Sequence, residues 1–399
     1  MLSAQEMNRR VKKRILLLIL ALVLTTGGFG LGYLVGESRV ICEVCPPQDL
    51  DFSLFWEAYH KLKESFAEPE KISDEKIIYG AISGMVESLD DPYTVFFNPE
   101  DTKLFWEDIS GRFEGVGMEI GIRDKSLQVI APLEGTPAQK AGLMPGDKII
   151  KVDGEPTTEI ALDEAVLLIR GPKGTKVTLT ILREGWDNPK DIEIKRAVIE
   201  IPSLKWELLE DNIAYIKIYQ FSEKAGFDFA GAAIQILNSG AKKIILDLRN
   251  NPGGYLEVAR DIAGFFLKRG EVVVIEDLGG KKKEYKAKGN PVFLDYPVVV
   301  LINEGSASGS EILAGALRDS RGVMLIGETS FGKGSVQQLE RLRGGSSLKI
   351  TIAKWLTPKG QSISEIGLEP DIRVEMREED YQEGRDPQLD KAIEIIKGL

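Results

Sequence analysis

The alternation of strand and helix patterns between about residues 201 and 375 is the feature that most restricts how this chain folds. Runs of aliphatic residues typical of buried strands are separated there by segments with apolar residues at helical spacing. The predicted strands are Ile213 to Ile218, Lys243 to Leu248, Val298 to Ile302 and Val323 to Ile326, and the predicted helices are Ala230 to Leu237, Leu256 to Leu267 and Ser310 to Leu317. This order predicts an α/β core whose active residues lie on loops that follow strands.

The N-terminus combines a basic cluster with one long apolar segment. The cluster consists of Arg9, Arg10, Lys12, Lys13 and Arg14. No charged residue follows between Ile15 and Val35, a span of 21 residues. About 20 apolar residues cross a bilayer as a helix, and Lys and Arg mark its cytoplasmic side. The pattern predicts a cytoplasmic tail over residues 1–14 and a transmembrane anchor over residues 15–36. A cleaved signal peptide is the alternative, although its apolar region would span about 7–15 residues.

Two smaller domains are predicted between the apolar segment and the core. After a linker over residues 37–50, apolar residues recur at helical spacing, which predicts a helical domain over residues 51–111. Residues 112–188 contain short strands, glycine turns and one helix around residues 161–170, and this order resembles a PDZ domain of bacterial proteases. The rest of the chain is assigned to a core over residues 189–375 and a C-terminal helix within residues 376–399.

The resemblance to a PDZ domain implies a peptide-binding loop. In such domains a loop of alternating glycine and apolar residues offers N–H groups to a peptide carboxylate, and the peptide adds as a strand beside the strand that follows. Here the loop consists of Gly115, Val116, Gly117 and Met118, and the strand continues to Ile122.

Charge and residue counts argue against several classes of function. The net charge of -11 argues against a nucleic-acid partner, because phosphate binding needs clustered Lys and Arg. The sequence has one histidine, His60, on a predicted helix, which argues against a Ser-His-Asp triad and against a histidine-rich metal site. Cys42 and Cys45 are predicted to form a disulfide with each other or with a second chain outside the membrane, which leaves a homo-oligomer open.

A serine-rich loop over residues 303–311 follows the predicted strand that ends at Ile302. It holds Ser306, Ser308 and Ser310. A hydroxyl at a strand-to-helix turn projects into a cleft, where N–H groups at the helix start can stabilise an oxyanion. Serines at such a place also cap helices, so this loop by itself does not decide between a nucleophile and a cap.

Two further loops also follow predicted strands. Residues 327–334 nearly spell a phosphate-binding loop, but Gly334 stands where that pattern needs Ser or Thr, which argues against nucleotide hydrolysis. Lys333, flanked by glycines, can approach a serine closely, and desolvation would lower its pKa enough to make it a base. The loop over residues 247–254 either donates N–H groups to an oxyanion or is a plain glycine-rich turn.

Together these segments resemble the carboxyl-terminal processing proteases, also called tail-specific proteases. The matching motifs are Leu248-Arg-Asn-Asn-Pro-Gly-Gly254, Ser306-Ala-Ser-Gly-Ser-Glu-Ile312, Gly327-Glu-Thr-Ser-Phe-Gly-Lys-Gly-Ser-Val-Gln337 and Thr357-Pro-Lys-Gly-Gln-Ser-Ile363. The resemblance extends over nearly the whole chain from Asp51 onward. It implies a multidomain α/β fold in which a protease core of crotonase-like type carries a β-rich extension.

The resemblance also implies roles for five residues of the core. Ser308 is the implied nucleophile, Lys333 the implied general base, and Gln337 the residue that orients the lysine. The N–H groups of Gly254 and Gly309 would form the oxyanion hole. Relatives commonly have alanine where this chain has Gly309, a change that keeps the backbone donor and predicts a more flexible loop.

The function implied by the resemblance is proteolysis near the C-termini of envelope or secreted proteins. Its partners would be substrates with exposed C-terminal tails and the cell membrane, with the catalytic domains in the periplasm or outside the cell. It would need no metal or cofactor. Arg170, at the end of the PDZ-like helix, couples ligand binding to the active site in some relatives. The main alternative is a PDZ adaptor that has lost activity, which the intact Ser308, Lys333 and Gln337 argue against.

Overall fold

The computed structural model describes residues 15–30, 50–123, 126–133, 135–158, 160, 162–183 and 185–399, and the chain divides into two compact units, residues 1–77 and 78–399. The helices are α1 (15–30), α2 (Ser53–Ser65), α3 (Asp74–Glu87), α4 (Pro99–Ser110), α5 (Pro137–Lys140), α6 (Leu162–Ile169), α7 (Ala225–Asn238), α8 (Leu256–Ala263), α9 (Gly309–Arg321), α10 (Glu378–Glu383) and α11 (Pro387–Gly398). The strands are β1 (Val95–Phe97), β2 (Arg112–Gly115), β3 (Met118–Arg123), β4 (Ser126–Pro132), β5 (Lys148–Val152), β6 (Glu155–Pro156), β7 (Lys176–Leu182), β8 (Lys190–Lys195), β9 (Ala197–Glu200), β10 (Leu204–Leu209), β11 (Ile213–Ile218), β12 (Lys243–Asp247), β13 (Val272–Leu278), β14 (Lys281–Lys286), β15 (Val298–Ile302), β16 (Met324–Gly327), β17 (Ser335–Arg341), β18 (Ser347–Leu356) and β19 (Ile372–Arg373).

The first unit contains α1, α2 and the first turn of α3. The Asp74 carboxylate joins α2 to α3, because the Tyr59 hydroxyl and the Lys63 ammonium both lie 2.8 Å from it. His60 is exposed on α2. No helix within the described residues is long and apolar enough to cross a membrane. The end of the predicted anchor, together with the cysteines at positions 42 and 45, lies outside the described residues.

The PDZ-like segment forms an antiparallel sheet in the order β3-β4-β5-β7-β8, with β6 pairing β5. Val177, Leu179 and Ile181 of β7 are fully buried, which explains the strict apolar alternation of this strand. Helix α6 packs against β3 and β5. Strand β3 forms one edge of the sheet, so its outer backbone groups pair with no other described strand.

The α/β core is a sheet in the order β10-β11-β12-β15-β16-β19, in which β10 is antiparallel and the other strands are parallel. Alternate strand residues face opposite layers. Ile244 packs with α7, α8 and α9 on one face, whereas Ile245 packs with Ala392 and Ile396 of α11 on the other. Because both faces are covered, β15 is buried along its whole length and its sequence is continuously apolar. The loops at the carboxyl ends of β12, β15 and β16 therefore meet at one edge of the sheet.

A second sheet in the order β1-β18-β13-β14, with β17 pairing β18, lies beside the core. Its first strand comes from residues 51–111, which were predicted to form a helical domain. Val95, Phe96 and Phe97 pair with β18, as β-branched and aromatic residues favour extended backbone. Strand β1 is thus joined to β18 by backbone hydrogen bonds, and the Tyr93 ring of the turn before it lies 5.8 Å from the Lys333 ammonium.

Candidate active site

The three serines of the loop after β15 have different environments. Ser306 and Ser310 are fully buried, and their hydroxyls donate to the backbone carbonyls of Leu248 and Asn251 at 2.8 and 2.9 Å. They hold the serine loop against the loop after β12. Ser308 is partly exposed at the start of α9. It is the one serine of the three with access to a substrate.

The backbone at Ser308 adopts φ 52° and ψ -110°, a conformation that a residue with a side chain rarely takes. Such strain persists where surrounding contacts enforce it, and it is typical of nucleophile turns between a strand and a helix. Two hydrogen bonds enforce this conformation. Ser308 N donates to Glu311 Oε2, and Ala307 N donates to Asn251 O. The turn therefore presents the Ser308 side chain at the helix N-terminus.

Glu311 connects the serine loop to the lysine loop, although its side chain is 1% exposed. Its Oε1 accepts hydrogen bonds from Ser330 Oγ at 2.6 Å and Gly332 N at 2.8 Å, and its Oε2 accepts from Ser308 N at 2.8 Å and Lys333 N at 3.0 Å. Burial raises the pKa of Glu311, and the four hydrogen bonds oppose that rise. A single carboxylate thus sets the relative position of Ser308 and Lys333. Glu311 lies within the motif Ser306 to Ile312, but no local pattern in the sequence indicates that its side chain joins two loops.

Lys333 lies on the loop between β16 and β17, and its side chain is partly buried. Burial lowers the pKa of Lys333, and the Glu311 carboxylate opposes this. Its ammonium lies 5.8 Å from the centre of the Tyr93 ring. Two glycines permit this loop: Gly332 has φ +87°, and a Cβ at Gly334 would come within 2.2 Å of Ser364 N. A lysine with a lowered pKa is suited to accept a proton.

Of the two glycines after β12, Gly253 lies directly against Ser308, and Gly254 lies against the backbone of Phe221. A Cβ placed on Gly253 would be 2.8 Å from both Gly309 N and Ser308 Cβ, so only glycine fits there. Among the described residues, the N–H groups of Gly254 and Gly309 donate no backbone hydrogen bond. Unpaired N–H groups beside a nucleophile are what an oxyanion hole needs. A Cβ on Gly309 would lie 3.1 Å from the buried Phe221 ring.

Gln337 lies on β17, four residues after Lys333. Its amide donates to Ser335 O at 3.1 Å and to the Ser335 hydroxyl at 2.5 Å. Within the described residues it forms no hydrogen bond with Lys333. The structure therefore brings Gln337 to the same strand end as the lysine but shows no direct contact through which it would orient the ammonium.

A buried ion pair supports the loop after β12. Asp247, at the end of this strand, is fully buried and binds the Arg249 guanidinium, which also binds Asp386 at 2.8 Å just before α11. Tyr215 on the neighbouring strand donates its hydroxyl to Asp247 at 2.6 Å. The loop that carries Gly254 is thus anchored to the C-terminal helix as well as to the sheet.

The predicted peptide-binding loop lies between β2 and β3. Gly115 ends β2 and pairs with Ala197, whereas Gly117 has φ +78° and a Cβ there would come within 2.5 Å of Thr136. Val116 is buried, and Met118 begins the edge strand β3. The loop therefore leads directly into a strand edge that is unpaired within the described residues.

Arg170 follows α6 and contacts the segment before the PDZ-like sheet. Its guanidinium binds Asp108 on α4 at 2.7 Å and lies 4.5 Å from the centre of the Phe113 ring. The backbone N–H of the next residue, Gly171, donates to Glu114 O at 3.3 Å. Arg170 therefore links the PDZ-like helix to α4 and β2.

Three family models match segments of this chain. Residues 212–374 match the model of peptidase family S41, residues 108–182 match the PDZ domain, and residues 47–101 match the N-terminal domain of the activating protease CtpB. No group of three or more His, Cys, Asp or Glu side chains that could hold a metal ion is found in the described part of the chain.

Individual relatives agree with the domain matches. The chain is 39% identical to the carboxy-terminal processing protease CtpA of Bacillus subtilis, over 93% of this chain and 78% of that protein. It is 36% identical to a probable CtpA-like serine protease of Staphylococcus haemolyticus, over 92% and 74% of the two chains. The solved structure of a photosystem II D1 C-terminal processing protease superposes with a TM-score of 0.54 at 28% identity, covering 81% of this chain and 92% of the other. The chain therefore belongs to the carboxy-terminal processing proteases, serine-type peptidases of family S41 that carry a PDZ domain.

Proposed function

We propose that Ser308 is the nucleophile of this protease and Lys333 its general base. The observation that carries the proposal is the buried Glu311 carboxylate, which accepts a hydrogen bond from the backbone N–H of each of these two residues. The partial exposure of Ser308 and the lowered pKa of Lys333 suit the two roles. The hydroxyls of the other two serines of the loop donate hydrogen bonds to backbone carbonyls.

The reaction begins when Lys333 takes the proton of the Ser308 hydroxyl and the serine oxygen attacks the carbonyl carbon of the scissile peptide bond. The N–H groups of Gly254 and Gly309 stabilise the negative oxygen of the tetrahedral intermediate. Lys333 then returns the proton to the leaving amine. A water molecule, deprotonated by the same lysine, hydrolyses the acyl-enzyme and restores Ser308.

The PDZ-like domain selects substrates with exposed C-terminal tails. The loop from Gly115 to Met118 holds the terminal carboxylate, and the tail adds as a strand to the free edge of β3. Support for this comes from the edge position of β3 and from the match to the PDZ model. Arg170, through its contacts with Asp108 and Phe113, transmits occupancy of the loop to the rest of the chain.

The apolar segment from Ile15 to Val35 anchors the protein in the cell membrane, with the catalytic domains on the outer side. The basic cluster before it and its length of 21 residues support this topology. Envelope or secreted proteins would then be the substrates.

Activity measurements on single variants test the dyad. Ser308→Ala and Lys333→Ala are each expected to abolish both proteolysis and labelling by a fluorophosphonate, with unchanged circular dichroism, because a nucleophile and its base act as a unit. Lys333→Arg is expected to be inactive as well, since arginine does not deprotonate in proteins. Chelators are expected to leave the wild type unaffected. The matched controls Ser306→Ala and Ser310→Ala retain the nucleophile, and full turnover in Ser308→Ala would reject the assignment.

A further inference from the structure

The two N–H groups of the proposed oxyanion hole belong to different segments, so their separation depends on how those segments are held together. Gly254 lies on the loop after β12, and Gly309 is the first residue of α9. Phe221, three residues after the end of β11, lies against both glycines. Its side chain is fully buried, which keeps it out of reach of a substrate.

The backbone of Phe221 holds the loop after β12. Its N–H donates to Gly253 O at 2.8 Å, and its carbonyl accepts a hydrogen bond from Tyr255 N at 2.9 Å. These two bonds form a parallel β-bridge between Phe221 and Gly254. A Cβ on Gly254 would lie 2.3 Å from Phe221 O, so the approach of the two backbones requires glycine. The bonds flank Gly254 and leave its own N–H without a backbone partner among the described residues.

The ring of Phe221 limits the position of Gly309. A Cβ on Gly309 would lie 3.1 Å from Cδ2 and 3.4 Å from Cγ of this ring. Carbon atoms in good contact are about 3.5–4.0 Å apart. Because the ring belongs to the close-packed core, it cannot move away without disturbing its neighbours. The ring therefore occupies the space that a side chain at position 309 would need.

The segment that carries Phe221 is itself held on both sides. Before it, the Gln220 amide donates to Asp108 O, near the end of α4, at 2.7 Å. After it, the Ser222 and Ser203 hydroxyls are hydrogen-bonded at 2.9 Å and both residues are buried. These contacts fix the backbone from which the ring projects.

We propose that Phe221 is a positioning residue of the oxyanion hole: its backbone sets the position of Gly254, and its ring sets the position of Gly309. The inference rests on the proposed oxyanion role of these two N–H groups and deepens it. Such donors act only when both lie about 2.7–3.1 Å from the oxygen that becomes negative. A small displacement therefore weakens binding of the tetrahedral intermediate more than binding of the substrate. Replacement of Phe221 should lower kcat and leave KM nearly unchanged.

The test compares the full chain with Phe221→Leu and with the matched control Phe229→Leu. Phe229 is also fully buried, and it packs against Phe265 and Phe266 of the same core. The measurements are kcat and KM for a protein substrate, the Tm, and the inhibition constant of a peptide boronate, whose tetrahedral adduct with serine resembles the intermediate. Loss of one oxyanion donor costs about 10²–10³ in kcat, so a displaced donor should cost about tenfold.

Phe221→Leu is expected to lower kcat and to weaken boronate inhibition by about the same factor, about tenfold, with KM within about twofold of wild type. Phe229→Leu should lower the Tm to a similar extent and keep the wild-type kcat and boronate inhibition. Equal losses of kcat in the two variants would overturn the inference, because general loosening of the core would then explain both. Unchanged kcat in Phe221→Leu, or a loss confined to KM, would also overturn it.

Gly309→Ala tests the same contact from the other side and does not depend on the folding of a core variant. The added methyl group should press on the Phe221 ring and lower both kcat and boronate inhibition. In the double variant with Phe221→Leu, the smaller side chain leaves room for the methyl group, so the loss should be less than the product of the two single losses. Unchanged kinetics in Gly309→Ala, or losses that multiply in the double variant, would show that the ring does not set Gly309.

The proposed dyad fails separately from this inference. Fluorophosphonate labelling of the wild type, followed by peptide mapping, identifies the nucleophile. A label on any residue other than Ser308 would reject the proposed function. A label on Ser308 together with wild-type kinetics in Phe221→Leu would reject only the role of Phe221.

Discussion

At the scale of single residues, Glu311 shows how a side chain far from solvent can govern a catalytic site. Four donors converge on its two oxygens, and two of them are the backbone N–H groups of Ser308 and Lys333. Hydrogen bonds to a charged acceptor are stronger than neutral ones. The strained turn at Ser308 and the glycine-flanked lysine loop are therefore held in one arrangement by one group.

Glu311→Gln is expected to lower kcat by about 10- to 100-fold, since the lost charge-assisted hydrogen bonds are worth about 1.5–3 kcal/mol each. The amide also places an NH₂ group against N–H donors that need an acceptor. Thermal unfolding and kcat are measured together. Glu304→Gln, an exposed carboxylate of the same loop, is the control and should behave as wild type. Wild-type kcat in Glu311→Gln would show that the carboxylate does not position the two loops.

At the scale of elements, the edge strand β3 and the segment before the PDZ-like sheet are the parts that can respond to a substrate. The outer backbone groups of β3 can pair with a peptide. The ion pair between Arg170 and Asp108 connects the helix beside β3 to α4, which follows directly after β1. Strand β1 in turn pairs with β18. The PDZ-like helix is thus connected through α4 and β1 to the second sheet.

Amidation of a long substrate's C-terminus is expected to slow its cleavage markedly, because the amide removes the charge that the loop from Gly115 to Met118 would bind and changes no side chain. Rates are compared for free-acid and amidated forms of one substrate. Short peptides that reach Ser308 directly should respond less. Equal rates for the two long forms would mean that the carboxylate is not the signal. Substitution of Gly117 is a poor test of this point, since a Cβ there would collide with Thr136.

At the scale of the whole molecule, one chain contains sheets that differ in how their faces and edges are covered. The parallel sheet is covered on both faces, whereas the PDZ-like sheet keeps a free edge. The second sheet pairs β1, which precedes the PDZ-like segment, with β18 of the core. Because residues 95–97 pair with residues 347–349, Tyr93 lies near Lys333 although the two are far apart in sequence.

The full chain is expected to remain with membranes after washing at high salt, whereas a chain that begins at Leu50 should be released into solution. The physical reason is the apolar segment, whose transfer out of the bilayer is costly. Cell fractionation measures the distribution, and cleavage of a short peptide provides the control, because both forms should have the same kcat/KM. Release of the full chain by salt would argue against an anchor.

The sequence by itself determined the elements of the core and the catalytic candidates. Strands Ile213–Ile218 and Val298–Ile302 have the predicted bounds, because a strand covered on both faces must be continuously apolar. The helix predicted over Ser310 to Leu317 corresponds to α9, which is longer and ends at Arg321. It ends there because Gly322 adopts a left-handed conformation with φ 65°. The helix predicted to reach Leu267 ends at Ala263. The assignment of Ser308 and Lys333 came from the resemblance to a protease family, and short motifs of neighbouring residues carry that resemblance.

Only the tertiary structure decided which groups surround those candidates. It separated Ser308 from the two buried serines, placed Glu311 between the loops, and brought the Tyr93 ring to the Lys333 ammonium. It also showed that the segment predicted to be helical contributes a strand to a sheet. The physical reason is that burial, and the charges that shift a pKa, depend on neighbours from distant parts of the chain, which local spacing and composition do not encode.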